Sequence, residues 1–584
     1  MQLSLNPRSR SGALSLGLFI IMMIFVGRLF YLQVIRHDFY VSEANSIQIS
    51  KLTINPVRGS IYAMNGESTV PLVLNESVFT VFADPSQVDV PDKVASTLRK
   101  IAGGNLLDNF EKGLRDKKSQ YEVLAKQVSR SQAELIKKED LAGIGMQESS
   151  RRVYPEATLG AQMLGYVDTD GEGQYGIESS LQNRLAGKAG MLQTVTDVRR
   201  IPLTIGNNDV QVAAKNGDDL VLTIDRNIQA RAEQFLKEGL VRAKATKGSV
   251  LVMDPRDGSV LAIANFPTYD PSKYAEVSDY GVFQNGVVST PYETGSIIKT
   301  LTMGAAIDSG AVSPTSTYNN TGAVKVDDAT IRNVEEDPVS TAATMTDILR
   351  YSLNTGVVYT LQQMGGGSVN KQARETLYHY FHDQYRFGKK TGIEQAGEAA
   401  GTIIGPNEGF GLNVRYANMT FGQGMDVTMI QAAGAFSAAI NGGTFYQPHL
   451  VNGTLNLDGT IKKTTPAVIA NNVLKPDISA QLKEMIHQGR KQGFFGRYDK
   501  DGYVVGGKTG TSQVIDPKTG KYSDKDSVGT YIGFGATDTP SYVIMVKVDD
   551  SQSHTGYEGT TAAGPIFNDL SNWMIDYLQI QPKQ

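Results

Sequence analysis

The 584-residue chain sets 56 lysines and arginines against 60 aspartates and glutamates, a formal net charge of −4, with 40% hydrophobic and 20% charged residues. This is the composition of a folded protein with an ordinary core; it excludes a fibrous or disordered chain, and no basic block offers itself to nucleic acid. There is no cysteine, so disulfides and thiolate metal sites are excluded, and the six histidines form no spaced ligand motif, so neither metal nor cofactor is expected.

Residues 1–10 hold Arg8 and Arg10 and no acid, while 11–35 is apolar apart from Arg28, long enough to cross a hydrocarbon layer of about 30 Å. Asp38 and Glu43 follow, so the charge bias keeps residues 1–10 in the cytoplasm and places the rest outside. A cleaved signal peptide is the competing reading, since the unbroken run is short, but no small-residue cleavage site precedes His37-Asp38-Phe39-Tyr40 and an uncleaved anchor over 11–35 is expected. From 36 to 215 the pattern is mixed α/β without a catalytic set: strand-like runs at Ser60-Ile61-Tyr62 and Val78–Phe82, then amphipathic stretches over 105–139. Segments Arg58–Asn75, Arg151–Val167 and Gly173–Gly190 are rich in glycines and aromatics, which read as turns around a small core; Gly187–Gly217 reads as an extended connection.

A second unit, 216–584, begins with a strand at Asp219–Asp225 and a helix from Arg226 to about Ala243. Ser249–Met253 and Ser259–Ile263 form a hairpin about Pro255-Arg256-Asp257-Gly258, and three further strands are expected at Tyr503–Val505, Thr530–Phe534 and Tyr542–Val546. Two strands early and three late, with helices between and after, make an α+β domain built on one antiparallel sheet.

Between those strands lies Thr294-Gly295-Ser296-Ile297-Ile298-Lys299, where an apolar helical run begins and ends at Gly310. Lys299 falls one turn beyond Ser296 on the same face, and serine becomes a nucleophile when a base takes its proton, a task open to a lysine whose pKa burial or a second cation has lowered. A lone Ser-x-x-Lys is weak, and Ser368-Val369-Asn370-Lys371 repeats it in a glycine loop without an apolar helix to bury the lysine. The first copy is followed by Ser352-Leu353-Asn354 at a helix junction and by Lys508-Thr509-Gly510-Thr511 after an apolar strand. Two other Lys-Thr-Gly strings, at 390 and 518, have no such strand before them. Gly506 and Gly507 suit a close approach of substrate backbone.

Serine and lysine, then Ser-x-Asn, then Lys-Thr-Gly in that order is the signature of penicillin-recognising serine enzymes, and the chain strongly resembles a class B penicillin-binding protein. The resemblance covers the anchor, the quoted segments of the first unit, the hairpin at Val250–Pro271, Phe421–Thr428 and the segment before the last helix; its branch looks septal rather than elongation-type. Thr294 departs from it, since relatives usually have proline there. What it implies is the penicillin-binding fold, a five-stranded antiparallel sheet with flanking helices and an all-helical subdomain, behind a non-catalytic pedestal (36–215). It also implies a D,D-transpeptidase acting on peptidoglycan stem pentapeptides, an amine acceptor, covalent inhibition by β-lactams, and partnership with a membrane glycan polymerase of the shape, elongation, division and sporulation family and other division proteins. Carried over by residue, Ser296 attacks, Lys299 takes its proton, Ser352 and Asn354 relay it and hold the substrate amide. Lys508, Thr509 and Thr511 then bind the terminal carboxylate around Gly510, and the oxyanion sits on the N–H groups of Ser296 and Thr511. A silent scaffold and a hydrolase share the fold; the intact motifs oppose the first, and the lack of a glutamate placed to activate water opposes the second.

Overall fold

The computed structural model describes residues 10–40, 49–195, 210–333, 342–515, 522–551 and 557–583. Arg8, Glu43 and the Lys518-Thr519-Gly520 string lie outside them. The chain divides into two compact units, Met1–Val57 with Gly187–Asn216, and Arg58–Ala186 with Gly217–Gln584.

In the first unit a helix from Arg10 to Phe30 continues through a π-helical turn, Tyr31–Ile35, with no side chain buried. Its 26 residues are long and apolar enough to cross a membrane. Three strands, Ile49–Ile54, Gly190–Val195 and Val210–Val212, form an antiparallel sheet with Gly190–Val195 in the middle. Part of the stretch read as an extended connection is therefore paired.

The second unit contains a seven-stranded sheet that joins Ile61–Asn65, Ser68–Ala83, Glu122–Ser129 and Ile144–Val153 to Leu220–Asp225, Val451–Leu455 and Ile461–Lys463. Leu220–Asp225 runs parallel to Ile61–Asn65 and antiparallel to Val451–Leu455. The glycine- and aromatic-rich segments meet at one buried charge. Glu178, with no exposed surface, accepts from Arg58 Nε at 2.8 Å and Arg152 Nε at 2.9 Å, and Arg152 Nη1 donates to Asn75 at 2.9 Å. Two guanidiniums satisfy both carboxylate oxygens, which is the condition under which a carboxylate tolerates complete burial.

The second unit also holds a five-stranded antiparallel sheet of β1 (Lys247–Met253), β2 (Val260–Phe266), β3 (Val504–Ile515), β4 (Tyr522–Ala536) and β5 (Pro540–Asp549), in the order β2-β1-β5-β4-β3. Around it stand α1 (Arg226–Ala243), α2 (Lys299–Asp308), α3 (Met345–Arg350), α4 (Asn354–Met364), α5 (Met429–Ile440), α6 (Pro476–Lys491) and α7 (Gly564–Tyr577). Both faces of the sheet are covered, so its inner strands read as continuous apolar runs rather than alternating ones. Val250, Val252, Ile544 and Val546 share a core with Leu236 of α1 and Phe567 of α7. Leu251, Ile263, Ile532 and Met545 share another with Leu301 of α2, Phe436 of α5 and Leu482 of α6. The helical region expected beside the sheet also carries two short ribbons, Thr317–Asn319 with Ala342–Thr344 and Ala323–Val326 with Ala329–Arg332.

Replacing Glu178 with alanine strands two buried guanidiniums. Its expected cost is about 3–5 kcal/mol, read as a lower urea midpoint by circular dichroism.

Candidate active site

Gly295 to Ile298 form a 3₁₀ turn that runs directly into α2. In a 3₁₀ turn residues three apart eclipse, so Ser296, half-buried at the mouth, is followed by Lys299 on the same side and fully buried. The turn is strapped from behind. Tyr292 pairs with Val427 through both backbone groups at 3.1 Å, Gly424 N–H donates to Glu293 at 2.7 Å, and Gly295 N–H donates to Gly422 O at 3.2 Å.

Ser352 and Asn354 enter from the junction of α3 and α4. Leu353 between them is buried in the core, which turns its two polar neighbours outward together. Ser352 has φ +56°, a left-handed conformation that costs a non-glycine residue about 1–2 kcal/mol. That conformation points both its carbonyl and its hydroxyl at Lys299. Lys299 Nζ donates to Ser352 O, to Ser352 Oγ at 3.1 Å and to Asn354 Oδ1 at 2.7 Å. Asn354 is oriented by the bond from its Nδ2 to Arg332 O at 3.0 Å.

From β3, the edge strand of the sheet, Lys508 Nζ donates to the same Ser352 Oγ at 3.0 Å and to Thr509 O and Oγ1 at 3.0 and 3.2 Å. A single hydroxyl thus lies between two buried lysine amines, and neither lysine has an ion pair among the described residues. Burial, followed by the charge of Lys508, holds Lys299 well below the usual lysine range, and burial lowers Lys508 to about 7. Thr511 lies against the Ser296 turn: a Cβ on Gly295, whose φ is +63°, would stand 2.6 Å from Thr511 O and 3.2 Å from Thr511 N. Thr511 Oγ1 accepts from Gly559 N–H at 3.2 Å.

All eight residues singled out from the sequence lie on three elements that converge here. What the structure does not contain is a hydrogen bond from Ser296 to Lys299, whose donors go instead to Ser352 and Asn354. Gly506 and Gly507 also serve differently from expectation. A Cβ on Gly506 would stand 2.4 Å from the Phe534 ring and one on Gly507 2.6 Å from Tyr531, so these glycines make room for aromatic rings of β4 and not for substrate. The competing motifs are elsewhere engaged. Ser368 is exposed in a loop whose Asn370 caps the helix Lys371–Tyr378, and Thr391 is fixed by the carboxylate of Glu398 at 2.6 Å. Sequence reasoning missed Tyr292 and Glu293, although the glycines at 422 and 424, both with positive φ, mark where their partners turn.

Residues 248–572 match the model of the penicillin binding protein transpeptidase domain, and residues 53–222 that of the penicillin-binding protein dimerisation domain. The chain belongs to the penicillin-binding protein family. This class B transpeptidase is 30% identical over 571 residues to Stage V sporulation protein D of Bacillus subtilis, spanning 97% of the chain and 85% of that protein. It is 26% identical over 585 residues to the probable peptidoglycan D,D-transpeptidase PenA of Neisseria gonorrhoeae, spanning 99% and 94%. In fold it is similar to the crystal structure of penicillin binding protein 2X from Streptococcus thermophilus, with a TM-score of 0.71 at 22% identity over 91% of this chain and 81% of that one.

Two expectations follow. Thr294 is buried, its hydroxyl has no hydrogen-bond partner among the described residues, and its φ of −80° suits a proline ring. Thr294→Pro should therefore raise stability by about 0.4–1 kcal/mol, seen as a higher melting temperature. For the lysines, the folded state releases its protons at lower pH than the unfolded state, which keeps them until near 10.4. The unfolded chain binds more protons in between, so stability rises with pH from about 7. Lys508→Met removes one such group and lets the pKa of Lys299 rise; urea midpoints at pH 7 and 9 should show the wild type gaining stability relative to the variant.

Proposed function

We propose that this transpeptidase cross-links peptidoglycan stem peptides through an acyl-enzyme on Ser296 and acts in septal wall synthesis during cell division. The observation that carries the chemistry is the pair of buried lysines joined through Ser352 beside a half-exposed serine. Lysines that burial has deprived of water, with no carboxylate among the described residues to hold their protons, exchange a proton at little cost near neutrality.

Ser296 Oγ attacks the penultimate D-alanine carbonyl; the C–O bond forms and the hydroxyl proton passes to neutral Lys299. The developing oxyanion takes the N–H groups of Ser296 and Thr511. As the C–N bond to the terminal D-alanine breaks, Ser352 Oγ donates its proton to the departing amine and takes one in turn from Lys299, which the attack left charged. The substrate carboxylate is held by Lys508, Thr509 and Thr511, and the peptide lies along the free edge of β3 around Gly510 as an added strand. An amine of a second stem peptide then attacks the ester; the C–N bond forms, the C–O bond breaks, and the proton the amine gives up passes through Lys299 to Ser296 Oγ. Asn354, bound to Lys299 and to Arg332 O, fixes the base in this arrangement and is the candidate to contact the substrate amide.

In this reading the helix at Arg10–Ile35 anchors the chain in the cell membrane with its amino end in the cytoplasm. Residues 36–215 serve as a pedestal that, with the helix, meets a membrane glycan polymerase of the shape, elongation, division and sporulation family. β-Lactams, stem-peptide mimics, acylate Ser296. The likeness to Stage V sporulation protein D favours a second reading, a role in sporulation, with the same chemistry.

Intact-mass analysis of the chain after incubation with benzylpenicillin tests the assignment: one stable adduct on wild type and Ser368→Ala, none on Ser296→Ala. An adduct that survives in Ser296→Ala, or rapid turnover of the penicillin, refutes it. Depletion in the native cell separates the roles, with unfinished septa expected for division and normal septa with failed spores for the second reading.

A further inference from the structure

The face of the sheet that carries α2 is apolar along the row Ile532, Met545, Leu251 and Ile263, and each of these belongs to the core beneath the catalytic helices. The next row across the same face is different. Its register is Gly510, Thr530, Lys547, Ser249 and Asn265 from β3 to β2, five residues of which four are polar, beginning at the glycine of Lys508-Thr509-Gly510. Thr530 has no exposed surface, and Lys547 and Ser249 are each 7% exposed.

A lysine in the middle of a sheet face needs compensation, since an unpaired buried ammonium is driven to lose its charge. Lys547 has two partners. Its Nζ lies 2.8 Å from Asp549 Oδ1 and 3.0 Å from Asp549 Oδ2, and 4.7 Å from the centre of the Tyr292 ring. Tyr292 Oη meets Thr530 Oγ1 of the same row at 3.3 Å. Tyr292 begins the segment strapped to Val427, Gly424 and Gly422 that delivers Ser296, and a Cβ on Gly510 would stand 2.6 Å from Thr294 O of that segment. The polar row and the strap therefore grip residues 292–295 from opposite sides.

We propose that Lys547 is a positioning residue for Ser296: its ammonium, fixed by Asp549, holds the Tyr292 ring and so sets the height of the Ser296 turn against β3. The role rests on Ser296 being the nucleophile. A cation over an aromatic face in a desolvated site is the strong case of that interaction, and misplacing a reacting atom by about 1 Å costs about a hundredfold in rate.

The test is acylation of the full chain in detergent by a fluorescent penicillin, with the saturating rate constant separated from the pre-acylation dissociation constant and rates expressed per acylated site. Lys547→Met, which keeps the stem and removes the charge, should lower the saturating rate about 10–100-fold and leave the dissociation constant within about twofold, while Lys547→Arg restores most of the rate. Tyr292→Phe, which keeps the ring face, should resemble wild type; Tyr292→Leu should match Lys547→Met, and the double variant should be no slower than either single one. Wild-type rates in Lys547→Met with only a lower melting temperature would overturn the proposal, leaving a structural strut. Should Lys547→Met not fold, wild-type rates in Tyr292→Leu overturn it equally. A wild-type chain labelled anywhere but Ser296 refutes the nucleophile assignment instead, which the Ser296→Ala control reveals in the same experiment.

Discussion

Everything in the catalytic unit depends on one hydroxyl set between two buried lysine amines. Ser352 Oγ lies 3.1 Å from Lys299 Nζ and 3.0 Å from Lys508 Nζ. Two ammonium charges this close would repel strongly where water is scarce, so the amines share fewer protons than two free lysines would, and the folded chain holds all three groups in place. α2 fixes Lys299 in the core, β3 fixes Lys508, and the α3–α4 junction presses Ser352 into a left-handed conformation. Burial and the charge of Lys508 lower the pKa of Lys299, and neither lysine has a carboxylate partner among the described residues.

Rigidity on this scale is supplied by the layers above and below. α2 is buried along nearly its whole length, α5 along all of it, and the sheet is covered on both faces. Beneath β3, Arg490 of α6 is buried and donates to Asp499 at 2.6 Å, to Asn568 at 2.7 Å and to the Tyr531 hydroxyl, while the Tyr531 ring fills the space at Gly507. The residue after Gly507 is Lys508, so a saturated guanidinium underpins the strand exactly where a lysine must stay aimed. Tyr531 itself is held neutral by burial, its pKa above the usual tyrosine range.

Much of this was legible in the sequence, and the parts that were not share a cause. The three motifs announced themselves by chemistry and order, and the five strands by apolar runs near their observed places, because short-range patterning decides both. The left-handed Ser352 was invisible: no glycine marks it, and its conformation is imposed by Leu353 entering the core and by α3 ending at Arg350, two residues earlier. Gly506 and Gly507 were read as openings for substrate because the rings that fill them come from β4, more than twenty residues away along the chain. Lys547 reads as an ordinary outward charge at the end of Tyr542–Val546; only the register of β5 between β1 and β4 places it beneath Tyr292. In each case what was missing is a contact between distant segments.

The backbones around the site touch at four glycines. A Cβ on Gly422 would stand 2.2 Å from Gly295 O, one on Gly295 2.6 Å from Thr511 O, one on Gly510 2.6 Å from Thr294 O and one on Gly559 2.2 Å from Gly510 O. No side chain fits at any of them without moving main chain, and main chain here carries Ser296 or the edge strand. Selection by an inhibitor is therefore confined in where it can act. Variants that discriminate a drug from the natural peptide must arise among the side chains flanking this glycine seam, through shifts of the turn or of β3, while the seam itself stays unchanged in every functional descendant.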